Sequence, residues 1–181
     1  MSDKKSTKAI KLKESEPSTV GTALVLRTCA KDMTSHGGFL WPEAGPVEAP
    51  DWSPNPSCGH GLHGFLWGEG SGSLANWSPE ARWLVVSVDL ALCVDLGGKV
   101  KFPRGVVVYC GDRVSATKYL AENGGQGRVI VGGTATAGDR GTATAGDRGT
   151  ATAGYRGTAT AGYGGTATAG ESGTATAGES G

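Results

Sequence analysis

Two kinds of hydrophobic pattern meet near residue 132. On the N-terminal side, short runs of β-branched, aliphatic and aromatic residues predict strands over Thr22 to Thr28, Phe39 to Trp41, Leu62 to Trp67, Trp83 to Asp89 and Val106 to Tyr109. Val114 to Glu122 carries Ala116, Tyr119 and Leu120 at helical spacing and is followed by Asn123, Gly124 and Gly125, so it predicts a short helix with its stop signal. The stretch from Pro42 to Pro56 holds five prolines and predicts a loop laid over the domain. Gly127 to Val131 reads as a last strand running into the C-terminal region.

On the C-terminal side the pattern becomes a strict repeat. Octads begin at Gly133, Gly141, Gly149, Gly157, Gly165 and Gly173, each reading GTATAG before two variable residues. Thr and Ala alternate with period two, so each octad predicts a four-residue strand with Thr on one side, Ala on the other, and a glycine-flanked turn. The variable positions change in pairs: Asp139 with Asp147, Tyr155 with Tyr163, Glu171 with Glu179. This pairing predicts a β-solenoid of sixteen-residue coils, two octads to a coil. So thin a coil has room inside for Ala135, Ala137 and their equivalents, whereas inward Thr hydroxyls would need hydrogen-bond partners. Thr134, Thr136, Thr142, Thr144, Thr150 and Thr152 are therefore expected to face water, with Tyr155 and Tyr163 at the turns, and together they form the expected interaction surface.

Composition sharpens the division. All five Trp lie between Trp41 and Trp83, and the last large aliphatic residue is Val131, so a bulky core is confined to the region before the repeats. The expected organisation is a disordered basic tail over 1–19, an α+β head over 20–131 and the solenoid over 132–181. The tail carries Lys4, Lys5, Lys8, Lys11 and Lys13. Over the whole chain Lys+Arg and Asp+Glu balance at 17 each, which gives no case for nucleic acid or an anionic membrane as partner. No apolar run approaches the roughly 20 residues that span a bilayer, and the N-terminus has no apolar signal-peptide core. The chain is expected in the cytoplasm of a bacterial host or in a virion, with Cys29, Cys58, Cys93 and Cys110 reduced.

Two constellations in the head carry candidate chemistry. Cys58, His60 and His63 lie in the stretch CGHGLH, and Cys29 or His36 is the candidate fourth ligand for a tetrahedral zinc ion. The second paired ligand cluster that marks most zinc sites is missing. Arg27 on one strand, His63 on a second and Glu69 beyond it loosely resemble the scaffolds of ADP-ribosyl transfer. That resemblance would imply that Arg27 or His63 holds a dinucleotide and that Glu69 orients the acceptor. On the residues alone, Arg27 is a strand-end charge, His63 ties the proline-rich loop to the sheet, and Glu69 belongs to an exposed turn. No cofactor is called for.

Two further resemblances bear on architecture. Cys58, Gly61, Leu62 and His63, followed by the Val-rich strand from Trp83, resemble an uncharacterised domain of phage and bacterial proteins that is often followed by solenoid repeats. The octads resemble the repeats of bacterial ice-nucleation proteins, whose sixteen-residue units place Thr-x-Thr on a strand and Ala-Gly-Tyr-Gly at the turn, as Ala161 to Gly164 do here. The expected function is that of a non-enzymatic structural or interaction protein: a head that caps a Thr/Ala solenoid, which self-associates through its edge or end or binds a partner. The alternatives are a small enzyme or metal-binding head with the repeats as a spacer, and an ice-binding solenoid.

Overall fold

A computed structural model describes residues 21–179, so the basic tail expected over 1–19 lies outside the described residues. The chain is mostly strand, with few helices. In the head, β1 (Thr22–Cys29), β2 (Gly45–Glu48), β3 (Leu62–Leu66), β4 (Arg82–Asp89), β5 (Val94–Asp95), β6 (Val100–Phe102) and β7 (Arg104–Gly111) form one antiparallel sheet, ordered β2-β7-β4-β1-β3-β6-β5. Among the described residues there is one α-helix, α1 (Arg113–Leu120), which opens on Asp112, whose carboxylate accepts from the Ser115 N–H at 2.9 Å.

The two central strands are covered on both faces, and their alternation shows it. Trp83 and Val85 join Leu26, Ala116, Leu120 and Val131 beneath α1, whereas Leu84, Val86 and Val88 join Val25, Trp41 and Phe102 on the opposite face. The proline-rich segment supplies part of the second cover through Val47 and Ala49. It is not wholly loop: Gly45–Glu48 pairs with β7 at the sheet edge, where Pro46 can sit despite its missing N–H. Phe39 to Trp41, expected as a strand, makes only a single bridge between Thr34 and Leu40. Gly37 and Gly38, at φ 72° and 77°, turn the chain back there, and Phe39 packs edge-on against Trp41 at 5.6 Å. β5 and β6, of two and three residues, are too short to display a period.

In the repeat, β8 (Thr134–Ala137), β10 (Thr150–Ala153) and β12 (Thr166–Ala169) form one parallel sheet, and β9 (Thr142–Ala145), β11 (Thr158–Ala161) and β13 (Thr174–Ala177) form another. Pairing is in register at every position, Thr150 with Thr134 and with Thr166, Thr158 with Thr142 and with Thr174. A narrow core of Ala143, Ala145, Ala151, Ala153, Ala159 and Ala161 runs between the sheets. The invariant glycines make this closeness possible. A Cβ on Gly157 would stand 2.8 Å from the Ala153 methyl and 2.9 Å from the Gly141 carbonyl oxygen.

The head and the stack are joined by backbone. Gly146 N–H donates to Ile130 C=O at 3.2 Å, and Gly132 N–H donates to Asp147 C=O at 2.8 Å. One rung on, Gly162 N–H and Arg148 N–H make the corresponding bonds to Gly146 C=O and Tyr163 C=O. Ile130, Val131 and Gly132 therefore occupy the places that Gly146, Asp147 and Arg148 occupy in the next rung. This is why Gly127 to Val131 is not the strand its composition suggests: the segment is already in the turn register of the stack. Ile130 and Val131 also send their side chains into the core beneath α1. The carboxylate of Asp147 accepts from the Gly72 N–H at 2.8 Å, and Arg148 lies over Trp77 at 4.9 Å.

Candidate functional site

The octads place twelve threonines on two broad faces. In every strand the first and third residues point outward; Thr152 and Thr160 are half-exposed and the other ten are exposed. Thr134, Thr150 and Thr166 align across one sheet beside Thr136, Thr152 and Thr168, and Thr142, Thr158 and Thr174 align across the other beside Thr144, Thr160 and Thr176. Each face is thus a grid of six side chains, spaced about 4.8 Å between strands and about 6.7 Å along a strand. Tyr155 and Tyr163 stand at turns on opposite edges and are exposed. Their N–H groups donate to Asp139 and Asp147 one rung earlier, at 3.0 and 3.1 Å, so the turn residues hold successive rungs in line.

The head presents a second candidate, a cavity of about 810 Å³ lined by residues that include Arg27, Phe39, Trp41, Cys58, His63 and Lys99. Arg27 on β1 donates from Nη1 to the His63 C=O on β3 at 3.3 Å and lies over the Trp41 ring at 5.5 Å. The Nε of Arg27 and the Nε2 of His63 are both shielded from solvent, and neither has a hydrogen-bond partner among the described residues. Burial, reinforced by the charges of Lys99, Arg27 and Lys101, lowers the His63 pKa to about 4. The Lys99 ammonium reaches the Cys58 sulfur at 3.1 Å, and that hydrogen bond holds the thiol below its usual pKa. Lys101 is fully buried, and its ammonium is held by Asn55 Oδ1 at 2.8 Å, Ser57 C=O at 2.9 Å and Gly59 C=O at 3.4 Å.

These positions sort the residues named from the sequence. Arg27 and His63 come together, but Glu69 does not join them: it takes Arg128 at 3.2 Å and the Val129 N–H at 3.4 Å, fastening the segment that leads into the stack. An arrangement of the ADP-ribosyl-transfer kind thus loses its carboxylate. The zinc candidates separate as well. Cys29 is buried in the core with its pKa pushed up to about 11, chiefly by burial, and His60 faces Asp51 at 3.3 Å. Among the described residues no three His, Cys, Asp or Glu side chains converge as a metal site would require. Lys99 and Lys101 join the site without a motif of their own; the one sequence signal for Lys101 is a lysine set between the apolar Val100 and Phe102. Among the described residues no helix is long and apolar enough to cross a membrane.

Comparison with known proteins places the head. Residues 23–122 match the family described as a domain of unknown function, DUF7666. The chain belongs to that family. Curated relatives of this DUF7666 protein include an ice nucleation protein of Xanthomonas campestris pv. translucens, 45% identical over 102 residues, which are 55% of this chain and 6% of the relative. One of Pseudomonas syringae is 43% identical over 105 residues, 57% of this chain and 9% of the relative, and InaU of Pantoea ananas is 41% identical over 99 residues, 54% and 10%. The chain thus spans a tenth or less of the length of these relatives. The six octads account for 48 of the 181 residues, so about half of each match, or more, lies in the head. An uncharacterised domain followed by ice-nucleation-like repeats is therefore what the chain contains. No solved structure matches it.

Proposed function

We propose that this DUF7666 protein is a structural protein in which the head caps a short Thr/Ala β-solenoid of sixteen-residue coils, and that the threonine faces of the solenoid bind ordered water at an ice surface. One observation carries the reading: two flat, in-register grids of outward threonines, with the alanines turned inward. Each grid holds hydroxyls and methyls in a fixed two-dimensional pattern, so water bound at one threonine is in step with water at the next. The relatives named ice nucleation proteins support the same reading, because they share head sequence as well as the repeat type. Six octads give a small grid, so adsorption to ice is expected to be measurable and nucleation weak.

Ice-affinity partitioning of the full chain tests this. The expected result is enrichment in the ice fraction, with loss of enrichment when a grid is broken at its central strand by Thr150→Lys with Thr152→Lys, or by Thr158→Lys with Thr160→Lys. If the wild-type chain is excluded from ice like an inert control, the reading is wrong.

A second reading rests on Tyr155 and Tyr163, aromatic side chains exposed at the edges. Copies of the chain associate along these edges, where each tyrosine ring buries apolar area while its hydroxyl keeps water or a polar partner at the rim. Light scattering over a concentration series should show oligomers that weaken in the Tyr155→Ala, Tyr163→Ala double variant. Unchanged assembly in that variant removes the tyrosines from the interface.

A further inference from the structure

The head holds a cavity walled in part by cationic side chains, and the threonine faces have no part in it. Two adjoining cavities, of about 810 and 200 Å³, share Arg27, His36, His63 and Lys99 in their walls. Three cationic side chains act on this region: Arg27 from β1, Lys99 just before β6 and Lys101 within it. None of them is paired with a carboxylate among the described residues. Arg27 uses Nη1 on the His63 carbonyl, Lys99 is held by a thiol, and Lys101 by an amide oxygen and two carbonyls. The one carboxylate in the lining, Asp51, faces His60. A protein does not ordinarily leave such an accumulation of charge uncompensated beside shielded nitrogens that lack partners. Arg27 Nε and His63 Nε2 are two such nitrogens, on neighbouring strands.

We infer that this pocket binds the oxyanion of a small organic phosphate or carboxylate. On binding, the Arg27 and His63 side chains turn their shielded Nε and Nε2 toward the oxyanion, His63 donating once protonated, and Lys99 supplies charge at the rim. Trp41 and Phe39, on the same wall, flank the organic body of the ligand. Lys101 is a positioning residue: it holds the 55–59 loop in place around the site and leaves no ammonium hydrogen free for the ligand.

Among the described residues the charges that act on His63 are cationic, Arg27 from β1 and Lys99 and Lys101 from the β6 side; the other titratable groups of the cavity wall are His36, Cys58, which takes Lys99, and Asp51, which faces His60. An anion seated among them therefore favours the protonated imidazole, and binding takes up a proton. The chain has only three histidines, so the imidazole signals of the full-length protein can be followed by NMR across a pH titration. Three probes separate the possible sources of the oxyanion: inorganic phosphate, phenyl phosphate and benzoate.

The expected result is a saturable upward move of the His63 midpoint by about one pH unit, which is about tenfold coupling. Phenyl phosphate or benzoate should bind more tightly than inorganic phosphate, and which of the two wins identifies the class. Arg27→Met should weaken binding about tenfold or more, as loss of one charge-assisted hydrogen bond does. Because Arg27 packs on Trp41, Lys99→Met at the rim provides a second variant that leaves the sheet intact, with a severalfold loss expected. A His63 midpoint indifferent to all three probes in the wild-type chain overturns the inference, as does Lys99→Met binding that matches wild type.

Discussion

Asp147 is the side chain on which the junction of head and stack depends, and its removal tests whether the head acts as a cap. One carboxylate oxygen accepts from the Gly72 N–H at 2.8 Å and the other from the Tyr163 N–H at 3.1 Å. Asp139, one octad earlier, repeats only the second contact, accepting from the Tyr155 N–H at 3.0 Å. A partly shielded hydrogen bond to a carboxylate contributes about 2 kcal/mol and an exposed one about 1 kcal/mol. Asp147→Ala should therefore cost about 3 kcal/mol and Asp139→Ala about 1 kcal/mol, and the difference of about 2 kcal/mol belongs to the junction. Native-state hydrogen exchange reads this locally. The amides of Gly132 and Gly146 and those of β9 and β10 should lose roughly 30-fold more protection in Asp147→Ala than in Asp139→Ala, while the amides at the centre of β4 hold their protection in both. Gly72→Ala approaches the same junction from the head, because a Cβ there would lie 2.5 Å from the Asp147 Cβ, and it should reproduce the pattern. Equal losses in the two aspartate variants would refute the claim that the head holds the first rung in place.

Three further outcomes follow from the geometry. Gly157→Ala, normally a gain in rigidity, should destabilise the stack by about 1–3 kcal/mol because the new methyl has no room between Ala153 and the Gly141 carbonyl; urea titration followed by far-ultraviolet circular dichroism checks it. His63, held near pKa 4 when folded against about 6.5 when unfolded, binds fewer protons in the folded state between those values, so stability should fall as pH drops from about 6.5 to 4. Allowing for solvent screening of a half-buried group, the loss is about 1–2 kcal/mol, and in paired denaturant melts it should be absent from His63→Gln and so appear in full as the pH-dependent difference between wild type and variant. Cys58 should alkylate well before Cys29 and Cys93, whose thiols are pushed up to about 11, and Lys99→Met should slow it; mass-resolved labelling time courses decide, and equal rates for Cys58 and Cys93 would count against the Lys99 contact.

The repeat was legible because its physics is local. Four residues of strict Thr/Ala alternation set which side faces water, and small side chains leave a single way to close the coil. The strands β1, β3, β4 and β7 were legible for a similar reason, each being a run of β-branched or aromatic residues long enough to show itself. What escaped were elements fixed by their neighbours. Gly45–Glu48 contains a proline and becomes a strand only because β7 offers an edge, and Val100–Phe102 is three residues held between β3 and β5. The site shows the same split. Arg27 and His63 were found as residue types worth watching, and the sheet register brings them together. Lys99, 36 positions on from His63, enters only through the β3–β6 pairing, while Glu69, six positions from His63, turns away to hold Arg128.

The connection between the two halves explains how so sparse a repeat can begin at all. A coil lined by alanine methyls buries little apolar surface, and its first rung would otherwise leave backbone donors and acceptors without partners. The head answers this with Ile130 to Gly132, which combine two properties that no octad has together. Their backbone meets Gly146 and Asp147 in the register of a preceding rung, while the side chains of Ile130 and Val131 are anchored among Leu26, Trp83 and Leu120. Because the match is made by backbone, it does not depend on the variable residues of the octads. The threonine grids can then differ in extent while the head that starts them stays the same, which is the relation expected if the head is shared with far longer relatives and the length of the stack sets how much surface it presents.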